Sequence, residues 1–356
     1  VDAAKNGAKL QNYTKVTKVT KSDGIWLITI TDSIDNTQNT IKAKCFINAS
    51  GPWVDDVLQE SFSNKNTKNV RLVRGSHIVV NKLYDHDKSF ICQNDDGRIF
   101  FMIPYEDKFT LIGTTDIDHS RSASEVEISE EEKQYICDSA NTYLNSEIKL
   151  SDIVWSYSGV RPLYDDGASK AQEATRDYVI KAEEHDSSLM INIFGGKITT
   201  YRRLSEAILK HIETFLGQRG NPWTHNSYLP GGDFDVDGLF DLNNKIQEKY
   251  PFLNEEIVKR LVRSYGTVSF DIFASAKNIE SLGESFGSGL YEKEVVYLVQ
   301  NEWARTSEDI LFRRSKLGLS LTKNEKQKLD QFLEKYQKLS KTSESSVKQD
   351  NIVETV

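Results

Sequence analysis

The sequence has 356 residues, 38% of them hydrophobic and 28% charged, a globular balance that suits about two domains. Its net charge of -8 argues against a general nucleic-acid binder, because phosphate backbones are held by excess Lys and Arg. Three scattered cysteines, Cys45, Cys92 and Cys137, lack CxxC spacing and read as plain thiols of a reducing compartment. No stretch approaches the ~20 apolar residues of a spanning helix, so any membrane contact is expected to be peripheral.

In chain order, Asp2 to Ala8 reads as the tail of a helix, with Gly7 as its stop. It leads into a strand-like run from Leu10 to Val19, an opening that reads as a domain cut on its N-terminal side. Ile25 to Thr31 is expected to be a half-buried strand. Cys45 to Ala49 reads as a short buried strand. It meets Gly51-Pro52 and a helix with Trp53, Val54, Val57 and Leu58 on one side, Pro52 suiting its first turn. Ser76 to Val80, Arg98 to Pro104 and Phe109 to Thr114 are strand-like, the last two forming an antiparallel hairpin.

Ser129 and Glu132 make a capping box that opens a helix carrying Tyr135, Ile136, Ala140, Tyr143 and Leu144. Met190 to Phe194 is a buried strand. Gly195-Gly196 turns it into an amphipathic helix with apolar positions Ile198, Tyr201, Leu204, Ile208, Ile212 and Phe215. Beyond Gly217 helical periodicity takes over through Leu339. The expected division is 1–218, then a helical domain over 219–340, then a disordered tail over 341–356.

Four segments are candidates for chemistry. The strand–Gly195-Gly196-Lys197-Ile198-Thr199-Thr200–helix turn would aim unpaired N–H groups and a helix dipole at one spot, with the Lys197 charge added. Asn48-Ala49-Ser50-Gly51-Pro52-Trp53 is a second such turn, small enough for close approach to a pyrophosphate. Arg161 and Arg176 flank a polar loop holding Asp165, Asp166 and Gly167, and suit phosphate because each guanidinium is a planar fork. His77, in Arg74-Gly75-Ser76-His77, titrates near neutrality and suits a general base. Taken singly, each also fits an ordinary role: a turn with an exposed lysine, a core tryptophan, arginine–aspartate salt bridges, a core histidine. No metal constellation is present, since the six histidines share no HxxxH or HxxE pattern.

In this order the segments resemble the aerobic, respiratory FAD-dependent glycerol-3-phosphate dehydrogenases. The residues that carry the likeness are Asn48 to Asp55, Arg74 to Val80, Ile103-Pro104-Tyr105, Ile112 to Asp116, Tyr157 to Leu163, Thr175 to Tyr178 and Phe194 to Arg202. Leu229 to Gly232, Tyr265-Gly266, Glu302-Trp303 and Arg313 to Gly318 extend it through the helical part. The resemblance implies an α/β and α+β fold: a glutathione-reductase-like FAD-binding domain, here incomplete, with an antiparallel substrate-binding sheet and an all-helical C-terminal domain. It implies oxidation of sn-glycerol 3-phosphate to dihydroxyacetone phosphate, with electrons passed to quinone. It implies a cytoplasmic homodimer attached monotopically to the inner face of the cell membrane.

Matched by motif, Arg161, Arg176, Lys197 and Thr199 are expected to hold substrate, with His77, Arg161 and Lys197 as the catalytic set. Gly195, Gly196, Lys197, Ile198 and Thr199 are expected to face the flavin ring, and Ala49, Ser50, Gly51 and Trp53 its adenosine or pyrophosphate side. The chain departs from the pattern in lacking the Gly-rich βαβ unit that cradles the FAD pyrophosphate. Two alternatives stay open: a glycerol-3-phosphate oxidase that uses oxygen, and a flavin-less binding fragment.

Overall fold

The computed structural model describes residues 1–62, 68–165 and 177–349. In chain order the elements begin with α1 (Asp2–Lys5), β1 (Thr14–Ser22), β2 (Ile25–Asp32), β3 (Gln38–Ala43), β4 (Cys45–Asn48) and α2 (Val54–Phe62). Then come β5 (Val70–Asn81), β6 (Phe90–Gln93), β7 (Ile99–Tyr105), β8 (Phe109–Gly113), β9 (Ile117–Asp118) and α3 (Glu130–Asn141). After these, β10 (Ile153–Tyr164), β11 (Tyr178–His185) and β12 (Ser188–Gly195) lead into α4 (Tyr201–Leu216). The remainder is helical: α5 (Leu239–Lys249), α6 (Glu255–Tyr265), α7 (Ser269–Phe273), α8 (Glu292–Asn301) and α9 (Lys323–Gln349).

Two compact units emerge, Tyr13–His225 and the helical Asn226 onward together with Val1–Asn12. The boundary near 218 read from the sequence falls inside the former. Residues past α4 stay with that helix because Thr224 donates to the Glu206 carboxylate, which also takes Arg202 at 2.9 Å. Helix α9 continues to Gln349, into the segment expected to be a disordered tail. Among the described residues no helix is long and apolar enough to cross a membrane.

In the unit Tyr13–His225, β1, β2 and β3 form an antiparallel meander. Trp26, Ile28 and Ile30 alternate inward with the two-residue period of a strand and pack on Val19, Phe46 and Met190. A second sheet has the order β11-β12-β4, with β12 and β4 parallel. Ser188 to Phe194 are all buried, the run expected of a strand covered on both faces. Ile208, Leu204, Ile212 and Phe215 of α4 cover one side of it. Ile198 and Tyr201, read in the sequence as the start of that apolar stripe, are exposed: Ile198 stands in a 3-10 turn over Ile198–Thr200 ahead of the helix, and Tyr201 is the first residue of α4.

The third sheet has the order β10-β5-β8-β7-β6, with short β9 also paired to β5. The β7–β8 pairing confirms the hairpin read from the sequence. The two faces of this sheet differ. Ile78, Val80, Phe100, Met102 and Ile112 point to one side and pack on Ile136, Cys137 and Ala140 of α3. The opposite side carries His77, Gly75, Gly113, Tyr157, Gly159 and Arg161, a placement fixed by register: His77 pairs with both Tyr157 and Gly113, and Gly75 with Gly159.

Candidate active site

The two expected cofactor turns leave neighbouring strands at the same end. Asn48 closes β4 opposite Asn192 of β12, and the strands are parallel, so Ala49-Ser50-Gly51 and Gly195-Gly196-Lys197 emerge side by side at their carboxyl ends. That edge is where open α/β sheets bind ligands. The Asn48 amide locks the pair, donating to Asn192 Oδ1 and to the Val54 carbonyl at 3.1 Å each, and Ser50 Oγ donates to Asn48 Oδ1 at 2.5 Å.

The turns themselves are built for close approach. Gly51, Gly195 and Gly196 have positive φ (57°, 69° and 97°), which glycine adopts without a Cβ penalty. A Cβ on Gly51 would meet nothing within 4 Å. The first turn of α4 has no side-chain cap, since Thr200 Oγ1 donates to the Lys197 carbonyl at 3.0 Å instead. The Tyr201 N–H is taken by the Ile198 carbonyl of the preceding 3-10 turn, so what this end offers an acceptor is the helix dipole. Ile198 is 87% exposed, a large apolar side chain left without protein cover at the mouth of this turn. Lys197 and Thr199 are exposed beside it. Trp53 is no core residue: it is 41% exposed and its ring N–H donates to Ser124 Oγ at 3.1 Å.

The second sheet's turn reaches the third sheet at Gly195. A Cβ there would lie 3.0 Å from the Asp177 carbonyl, 3.5 Å from Tyr164 N and 3.6 Å from the Pro162 carbonyl, so β10 carries Arg161 to the glycine pair. Among the described residues no hydrogen bond or ion pair joins Lys197 to Arg161 or His77.

On the open face, missing side chains make the room. A Cβ on Gly113 would stand 2.5 Å from His77 Cδ2, so only glycine lets the imidazole lie flat across β8. A Cβ on Gly75 would stand 2.7 Å from Thr114 Oγ1 and 2.9 Å from Arg161 Nη2, so glycine there admits the guanidinium. Gly159 has nothing within 4 Å of its Cβ position, and space stays open above it. The His77 ring stacks on Tyr157, with centroids 5.0 Å apart and planes within 6°. Its Nδ1 is buried without a hydrogen-bond partner. Burial, and after it the Arg161 charge, hold the His77 pKa below its ordinary value, so the ring is neutral at pH 7.

Arg161 Nη1 pairs with the Asp116 carboxylate, and Nη2 donates to Thr114 Oγ1 at 3.4 Å. The described salt-bridge partner is thus Asp116, forty-five residues away; Asp166, which the sequence offered with Asp165, lies outside the described residues. Arg176 lies outside the described residues. Sequence reasoning assigned no part in the site to Asp116, Thr114, Tyr157 or Glu132, the last read only as half of a capping box. Thr114 and Asp116 stand in the Ile112 to Asp116 motif and Tyr157 in the Tyr157 to Leu163 motif, so a signal existed for three of the four.

Residues 1–202 match the family described as FAD dependent oxidoreductase. The chain belongs to that family. Residues 222–346 match the family described as C-terminal domain of alpha-glycerophosphate oxidase. The chain is 39% identical over 326 residues to a D-erythritol 1-phosphate dehydrogenase of Brucella abortus, covering 92% of this chain and 65% of that protein. It is 38% identical over 335 residues to a glycerol-3-phosphate dehydrogenase of Pseudomonas aeruginosa, covering 94% of this chain and 65% of that one. It therefore spans just under two thirds of these relatives. The structure of a glycerol-3-phosphate dehydrogenase from Bacillus halodurans complexed with FAD superimposes with a TM-score of 0.73 at 25% identity, over 94% of this chain and 70% of that one. The FAD-binding and helical C-terminal parts of the expected fold are thereby borne out.

Proposed function

We propose that this protein oxidises the secondary alcohol of sn-glycerol 3-phosphate to the ketone of dihydroxyacetone phosphate, with FAD as its cofactor. The observation that carries this is the open, glycine-lined sheet face on which a neutral His77 lies near the Arg161 charge, on the sheet whose strand β10 also reaches Gly195 through Pro162 and Tyr164. FAD fits the paired turns: Gly195, Gly196, Ile198 and Thr199 would face its ring, and Ala49, Ser50, Gly51 and Trp53 its adenosine or pyrophosphate side. When bound, the flavin supplies the acceptor for the hydride that leaves C2.

Arg161, with Arg176, would hold the phosphate, each fork giving charge-assisted hydrogen bonds. His77 would take the C2 hydroxyl proton, which its neutral imidazole is ready to accept. Lys197 and the uncapped start of α4 would place positive charge where negative charge grows as electrons leave the substrate. The stacked Tyr157 ring would keep the imidazole planar against the sheet and shield it from water.

The relative named for D-erythritol 1-phosphate and the open space over Gly159 favour assaying the four-carbon homologue beside glycerol 3-phosphate. The test is steady-state oxidation of both compounds by FAD-loaded protein with a dye acceptor. Formation of a ketone phosphate in wild type, with KM raised at least tenfold in Arg161→Ala, supports the reading. No ketone from either compound contradicts it.

Quinone as the onward acceptor, peripheral attachment to the inner face of a cell membrane and a homodimer belong to the same proposal. Quinone reduction without peroxide would support the dehydrogenase over the oxygen-using oxidase. Co-sedimentation with anionic lipid vesicles and light-scattering mass test the other two.

A further inference from the structure

Beneath the open face, on the side covered by α3, lies one buried carboxylate. Glu132 is 3% exposed, although its place at the third position of a helix ordinarily leaves a Glu side chain wet. Both oxygens are fully used. Oε1 accepts from Ser76 Oγ and from Thr115 Oγ1, each at 2.8 Å. Oε2 accepts from Arg74 Nη2 at 2.7 Å and from Ser129 N at 3.0 Å. The Ser76 proton goes to Glu132, so the 2.8 Å contact between Ser76 and Ser158 is a donation from Ser158. Thr115 Oγ1 also accepts from Ser76 N at 3.0 Å.

Each hydroxyl in this network is interleaved with the oxidation site. Ser76 directly precedes His77. Ser158 lies between Tyr157, which stacks on that imidazole, and Gly159. Thr115 lies between Thr114 and Asp116, the two partners of Arg161. Successive side chains of a strand point to opposite faces, so pinning Ser76 and Ser158 from behind fixes their neighbours in front.

We propose that Glu132 is a positioning residue for the oxidation: one buried carboxylate at the start of α3 holds the segments bearing His77, Tyr157 and the partners of Arg161 in their working geometry. This rests on the functional reading above. Glu132 touches neither His77 nor Arg161 and acts only through the backbone it anchors. In Glu132→Gln the amide presents N–H groups to donors, so at least one of the four contacts is lost and the strands gain freedom.

The test is a double-mutant cycle on FAD-loaded protein with glycerol 3-phosphate, comparing wild type, Glu132→Gln, His77→Asn and the double variant. Glu132→Gln is expected to lower kcat at least tenfold, and the double variant to be no slower than His77→Asn alone, because residues acting as one unit are non-additive. Glu130→Gln, an exposed neighbour on the same helix, is expected to match wild type. Independent, multiplying losses would overturn the proposal. Should Glu132→Gln not fold, Thr115→Val repeats the cycle with one hydroxyl removed. If wild type oxidises no polyol phosphate, the functional reading fails by itself, and labelled-histidine NMR decides the positioning role. The His77 ring resonance is expected to move in Glu132→Gln and not in Glu130→Gln; an unmoved resonance would overturn the proposal.

Discussion

Glu132 in one unit of the molecule and Glu294 in the other are carboxylates buried against an arginine, and the two differ in what they fix. In the helical unit, Glu294 takes Arg260 in a fork at 2.6 and 2.7 Å and the Tyr265 hydroxyl at 2.7 Å. Its surroundings are the core of that unit, including Leu261, Val295 and Leu298. Burial, and then the Glu294 charge, push the Tyr265 hydroxyl well above its ordinary pKa, so it remains a donor at any working pH. Glu132 is satisfied by four donors, and two of them, Ser76 and Thr115, directly adjoin His77 and the partners of Arg161. A buried ion pair is weak evidence of net stability. What its loss does depends on which backbone it fixes: Glu294 ties helix to helix, whereas Glu132 ties a helix to the back of a reactive surface.

The largest expected effect is at Glu294. Glu294→Ala leaves Arg260 buried and unpaired, at a cost of about 3–5 kcal/mol, read as a lower urea midpoint. Turnover per folded, flavin-loaded molecule should stay near wild type. A loss below about 1 kcal/mol would mean the two carboxylates are not comparable.

His77→Asn should do the reverse. Loss of a general base lowers kcat by about 10²-fold or more, while the unfolding midpoint stays within experimental error of wild type.

The pH dependence sharpens the contrast further. In the proposed role the neutral imidazole is the working form and its pKa is held below the usual value, so the acid limb of kcat/KM should lie at lower pH than an unperturbed histidine would give. Arg161→Gln removes a charge that lowers this pKa, so the acid limb should move to higher pH. A limb that stays in place would separate His77 from Arg161. Tyr265, far from titrating, should add no limb of its own.

The smallest effect is expected at Ser129→Ala, which removes an N-cap worth about 1 kcal/mol. The Glu132 side chain keeps its sheet contacts in that variant, so kcat should barely change.

What the sequence showed and what it hid separate along the same line. The Ser129/Glu132 box, the β7–β8 hairpin and the Gly195-Gly196 turn were legible because each rests on residues within a few positions of one another. The contact of Glu132 with the sheet was not, since Ser76 is fifty-six residues away and meets it only once β5 passes over α3. The same holds for His77 with Tyr157 and Gly113, which the strand order β10-β5-β8 assembles. The Arg161–Asp116 pair was hidden in the same way, because forty-five residues separate the two. Helical periodicity misled at Ile198, because it does not register a 3-10 turn ahead of the helix.

The most direct test of the account is the anaerobic visible spectrum of FAD-loaded protein on addition of glycerol 3-phosphate, in wild type and His77→Asn. The account expects the flavin band of wild type to bleach on mixing and that of His77→Asn to bleach at least a hundred times more slowly, since a general base supplies about 10²-fold or more. Bleaching at equal rates in both, or none in wild type, would contradict it.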